Sequence, residues 1–169
     1  MATILSEKVD GWLKEMGHAP SAIEDPGALW HVQFQYPLRS PNMAHVVVPQ
    51  NQSDAAVIAM GINLGPQHRA AFENLDDEGR EAFNWELRQR LNNIDVEFKV
   101  DGVTTGRECP SSFQVLRTRY LDGLTKDGFA FSIGAVYKTW LKGLWYIQKE
   151  LGSSSQGPGG RFDFRRFGV

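Results

Sequence analysis

The side chains best suited to chemistry are one cysteine and four histidines, and their spacing decides what they could do. Cys109 lies in the run Asp101-Gly102-Val103-Thr104-Thr105-Gly106-Arg107-Glu108-Cys109-Pro110-Ser111-Ser112, where Arg107 is close enough to lower its pKa and favour the thiolate. A loop this long is often functional. A nucleophile also needs a base held by an orienting group, and no histidine stands beside Cys109 in the chain. Two readings stay open: a small-molecule enzyme or sensor using the 101–112 loop and Cys109, or a thiol with no chemical task. His31 and His45 could share the polar face of one hairpin, yet two imidazoles without a neighbouring carboxylate or cysteine make a poor metal site. Gly102-Val103-Thr104-Thr105-Gly106 lacks the Lys-Ser/Thr ending that grips phosphate and magnesium. Asp76-Asp77-Glu78 is explained by a helix start. The residues therefore point to a protein that is not an enzyme, with no cofactor and no metal.

Elements able to position these groups are written in the hydrophobic pattern. Trp30, Val32, Phe34 and Tyr36 alternate with His31, Gln33 and Gln35, the period of a strand dry on one face and wet on the other. Met43 to Val48 and Ala55 to Ile62 follow, separated by Pro37 to Asn42 and Pro49 to Asp54, which are rich in turn residues, so the three runs form an up-down-up meander. Closing the first hairpin with Tyr36 opposite Ala44 sets Phe34 against Val46 and Val32 against Val48 on the dry face, with Gln35 opposite His45 and Gln33 opposite Val47 on the other. Two more strands are expected, Ile94 to Val100 and Phe113 to Leu121. Arg117 and Arg119 of the last would pair with Asp95 and Glu97, and a bulge or early end is expected near Phe113 and Val115.

Helical spacing flanks the strands. Ile4, Leu5, Val9, Trp12, Leu13 and Met16 form one stripe, ended by Gly17; Gly65-Pro66 opens a second helical stretch; Asp76 caps a helix in which Phe83, Leu87 and Leu91 line up. Trp85 lies about 200° from Phe83 on that helix, on its wet side, either packed on a neighbouring loop or placed in an interface. Thr125 to Leu151 is the longest periodic segment, with an apolar arc wide enough for two contacts. Residues 1–151 thus read as one α+β domain, and 152–169 as a Gly/Ser-rich linker with an Arg/Phe tail.

Bulk properties exclude other classes. A net charge of -2 gives no pull toward nucleic acid or anionic membrane. Apolar stretches are broken before the ~20 residues a membrane span needs, and the first residues lack the pattern of a signal peptide. With a single cysteine, the expected home is the cytoplasm. The interleaved tail, Arg161 to Phe167, reads as a disordered end, as an anchor that docks Phe164 and Phe167 on a sheet edge of the same or a neighbouring subunit, or as a weak RNA contact. Three arginines give little phosphate affinity, so nucleic acid is not the expected partner.

The element order α-β-β-β-α-β-β-α over residues 3–151 resembles the class I chaperones of type III secretion and the small prokaryotic proteins that share their fold. Gly11-Trp12-Leu13, Leu75-Asp76-Asp77-Glu78 and Leu124-Thr125-Lys126-Asp127 look like the uncharacterised members of that group. The resemblance implies an antiparallel five-stranded sheet under flanking helices, and a homodimer that holds an extended protein or peptide segment without nucleotide or metal. It places the dimer contact on the central helix and the strand after it, which here means Trp85, Val96, Phe98 and Val100.

Overall fold

The computed structural model describes residues 2–153, with side chains from Leu5 onward. It is an α+β fold in which one antiparallel sheet lies beneath four helices. Helix α1 is Ala2–Glu15; strands β1 Ser21–Ala22, β2 Ala28–Gln35, β3 Met43–Pro49 and β4 Ala55–Asn63 follow; then helices α2 Pro66–Glu73 and α3 Asp77–Leu91, strands β5 Glu97–Asp101 and β6 Ser112–Tyr120, and helix α4 Lys126–Leu151. The sheet has six strands in the order β1-β2-β3-β4-β6-β5, one more than expected. The added strand is two residues long, too short to show alternation. It is held to β2 by register pairs Ser21–Gln33 and Ala22–Val32.

The hairpin register is displaced by two residues from the expected one. Tyr36 N–H donates to Asn42 O, so the turn closes two residues earlier and Phe34 faces Ala44, Val32 faces Val46 and Trp30 faces Val48. A shift of two preserves the faces; a shift of one would have turned every side chain over. No bulge interrupts β6, which pairs with β4 without a break from Asn63–Ser112 to Ala55–Tyr120. Phe113 and Val115 point to the helices with Arg117, while Gln114 and Leu116 point away; both faces are dry there, which is why alternation fades. Arg117 does reach Asp95, at 3.5 Å, but Glu97 lies opposite Leu116 and no arginine.

All four helices cover one face. Leu5, Val9 and Leu13 of α1, Phe72 of α2, Phe83, Leu87 and Leu91 of α3 and the buried arc of α4 share one apolar core with Val32, Phe34, Val46, Ile58, Met60, Phe113 and Val115. The break between α2 and α3 is made by Asp76, whose Oδ1 accepts from Gly79 N at 2.8 Å, with Asp77 and Glu78 favourably placed in the first turn. Gly17 ends α1 with φ 85, the left-handed stop its position called for. Thr125 caps α4 through Gly128 N.

Candidate binding face

The face turned away from the helices carries two of the histidines singled out above, His31 and His45. Strand register sets its side chains in rows across the sheet. His31, Val47, Val57 and Thr118 form one row; Gln33, His45, Ala59, Leu116 and Glu97 form the next; Gly61, Gln114 and Lys99 form a third. The middle strand supplies the smallest members: Ala55, Val57, Ala59 and Gly61 lie along β4, between His45 and Val47 on one side and Gln114, Leu116, Thr118 and Tyr120 on the other. Small side chains between larger ones therefore define a shallow trough along β4, and its walls at His45, Val47, Gln114 and Leu116 are themselves no more than 7% exposed. Val57, Ala59 and Leu116 make a second apolar cluster in this trough, each no more than 3% exposed, and no helix contributes to it. At one end Gln114 is 7% exposed and its Oε1 has no hydrogen-bond donor among the described residues. A buried acceptor left unpaired costs about 1–3 kcal/mol unless a donor is brought to it.

At the other wall stand both central histidines, and a carboxylate does lie beside them, contrary to expectation. Asp25 Oδ2 is 3.1 Å from His31 Nδ1, and His31 Nε2 is 3.1 Å from His45 Nδ1. Gly27 N–H donates to the other oxygen of Asp25, a turn of Asp25-Pro26-Gly27 that aims the carboxylate at His31. Because a carboxylate only accepts, His31 Nδ1–H is the donor to Asp25; neutral His31 then accepts at Nε2 from His45 Nδ1–H. Burial, helped by the His31 charge, pushes His45 down to about 3, and burial also lowers His31 against the pull of Asp25. The chain of three is thus uncharged on its histidines near neutral pH. Nitrogens facing each other across a hydrogen bond do not present lone pairs to a common ion, and no group of three metal-ligating side chains occurs among the described residues.

The 101–111 loop turns its donors inward. Glu108 accepts from the backbone N–H groups of Thr104, Thr105 and Gly106 at 2.9–3.2 Å and from Thr105 Oγ1 at 2.9 Å. Hydrogen bonds from its own amide, from Thr105 and from Thr104 bring its carboxyl down to about 2. The backbone nest that could cradle an external anion holds Glu108 instead. Asn84 of α3 donates to Gly106 O and Glu108 O and clamps the loop to the helix. Arg107 bonds to Glu81 and Asp77 on the same helix and does not activate Cys109. Burial pushes the Cys109 thiol up, against the attraction of Arg69, so the thiolate is disfavoured where the sequence suggested the reverse. Cys109 packs toward the helix-side core, on the opposite side of the sheet from His31 and His45, and cannot borrow either as a base.

The described residues expected at a dimer contact differ in exposure. Trp85 points outward from α3 and is 67% exposed, on the side its angle from Phe83 required. Val96, Phe98 and Val100 are half-buried, packed beneath the helices against the core, and β5 is an edge strand on which Glu97 is exposed. Phe164 and Phe167 lie outside the described residues. No helix among the described residues is long and apolar enough to cross a membrane. The trough itself went unread in the sequence, although its signal is present: alternate positions of β4 are Ala55, Val57, Ala59 and Gly61.

Three comparisons place the chain among known proteins. Residues 5–147 match the family model described as "Uncharacterized conserved protein (DUF2299)". A crystal structure of an uncharacterized protein from Methanothermobacter thermautotrophicus is similar at a TM-score of 0.77 and 29% identity, over 86% of this chain and 98% of that one. No curated protein matches. Neither of the two descriptions mentions a secretion chaperone.

Proposed function

We propose, from the premise that the chain belongs to the DUF2299 family of uncharacterized conserved proteins, that it is a non-enzymatic module that binds an extended polypeptide segment along β4 on the helix-free face. The observation that supports this reading is the solvent-excluded apolar cluster of Val57, Ala59 and Leu116, to which no helix belongs. An extended strand presents side chains to one face at alternate positions, about 6.5–7 Å apart, so apolar side chains on that face can cover the trough while its backbone supplies donors to Gln114. Chemistry of the enzymatic kind finds little support: Cys109 is held as the thiol, and the donors of the 101–111 loop serve Glu108.

The test is a titration of the full chain with fluorescein-labelled nine-residue peptides that alternate phenylalanine with threonine. Saturable binding is expected, weakened at least tenfold by Thr118→Arg at the trough wall. Absence of binding, or equal binding by the variant, refutes the reading. We further infer a homodimer through the outer side of α3, supported by exposed Trp85. Trp85→Ala should lower the molar mass measured by light scattering from two chains to one; an unchanged mass removes α3 from the interface.

A further inference from the structure

We infer that the trough along β4 is occupied by this chain's own residues 161–167, with Phe162 and Phe164 set over Val57, Ala59 and Leu116, so that any external segment must first displace them. The inference rests on the binding reading above and names how that site is regulated. These residues lie outside the described ones, and four observations point to them.

The first is where the described chain leaves the domain. Gly152 O lies 3.1 Å from His68 Nε2 and Ser153 O accepts from Gln67 Nε2, at the start of α2. That helix begins three residues after β4 ends, so Ser153 lies on the helix side of the sheet, toward the end at which β4 finishes. The second is reach. Sixteen residues follow Ser153. The seven from Ser154 to Gly160 span up to about 25 Å when extended, more than the ~10 Å that separates packed layers, and can round the end of the sheet. The nine from Arg161 match the nine residues of β4 in length.

The third is pattern. Arg161, Asp163 and Arg165 alternate with Phe162 and Phe164, which puts both rings on one side of an extended segment and all three charges on the other. The trough is dry along its floor and carries the Glu97 carboxylate at its rim, next to Leu116, within the row the arginines would cross. The fourth is the buried Gln114 Oε1 near the entry, an acceptor for which backbone N–H groups of an arriving segment are the fitting donors.

Paired cysteines in the full chain test this, with Cys109→Ser to remove the native thiol. Thr118→Cys is combined with Phe162→Cys or Phe164→Cys, oxidised in dilute solution and read by non-reducing electrophoresis and intact mass. At least one pair is expected to close an intramolecular disulfide tenfold faster than the same tail cysteine does with Lys142→Cys, on the exposed side of α4. Equal rates, or disulfides only between two chains, overturn the inference. A second measurement separates it from the binding reading. Phe162→Ser with Phe164→Ser should strengthen binding of the alternating peptide at least tenfold. If the peptide binds the wild type and the double variant alike, the tail is not the occupant and the binding reading stands. If the cis disulfide forms but neither protein binds peptide, the tail is the occupant and the binding reading fails.

Discussion

Phe113→Ala is expected to remove about 3–5 kcal/mol of stability, read as a lowered urea midpoint, against the roughly 5–15 kcal/mol a domain possesses. Phe113 is fully buried in β6, between Ile62 of β4 and Val100 of β5, and α4 passes directly over its ring. The close passage depends on Gly143: a Cβ there would stand 2.8 Å from Leu91 Cδ2 and 2.9 Å from Phe113 Cζ. Helix α4, helix α3 and the sheet meet at this one glycine. Gly143→Ala gains about 1 kcal/mol of helix propensity but forces a methyl into a filled space, at a cost of about 1–3 kcal/mol. The two substitutions are therefore coupled. In the Phe113→Ala background the ring contact is gone and the flexible end of Leu91 can shift into the vacated volume, so Gly143→Ala should become neutral or stabilising. Strict additivity of the two effects would show that the ring and the helix do not meet as described.

That junction also explains how far the sequence could be read. Helices α1, α3 and α4 were legible because each carries a stripe at three- and four-residue spacing, bounded by the stop at Gly17 and the starts at Asp76 and Thr125 for local reasons that act without tertiary help, whereas α2 was signalled only by Gly65-Pro66. Strand faces were equally legible in β2. Register was not, since a displacement of two leaves every side chain on the same face and the hydrophobic pattern cannot distinguish the alternatives. In β6 the pattern failed for a different reason: a strand that packs helices on one side and a second apolar cluster on the other loses its wet face, as Leu116 and Val115 do side by side.

The candidate site was legible only in fragments. His31 and His45 were assigned to one face, but their carboxylate partner comes from a loop six residues upstream, and only the Asp25-Pro26-Gly27 turn could have suggested it. Arg107 was read as an activator of Cys109 because it is near in the chain; Glu81 and Asp77, distant in the chain, claim it instead. The trough required knowledge of which strands flank β4, and β6, its neighbour, is separated from it by both α2 and α3. Non-local pairing, like register, is not encoded in periodicity.

Acidification is expected to destabilise the protein through the histidine chain. In the unfolded state a histidine takes up a proton near pH 6.5, whereas folded His45 does so only at about 3, and His31 is displaced in the same direction. Between those values the unfolded chain binds more protons, so stability falls as pH falls. The contribution is complete above 6.5 and exhausted near 3. At about 1.36 kcal/mol per pH unit, His45 alone accounts for a loss of about 2 kcal/mol between pH 6.5 and 5. Carboxylates titrate lower and add their own slope, which a comparison with His45→Gln cancels. The amide keeps a donor for His31 Nε2 but takes up no proton, so the gap between wild type and variant, measured by urea unfolding, should narrow by about 2 kcal/mol from pH 7 to pH 5. Parallel stability curves over that range would mean that His45 is not buried in its neutral form, and would remove the hydrogen-bonded chain from the wall of the trough.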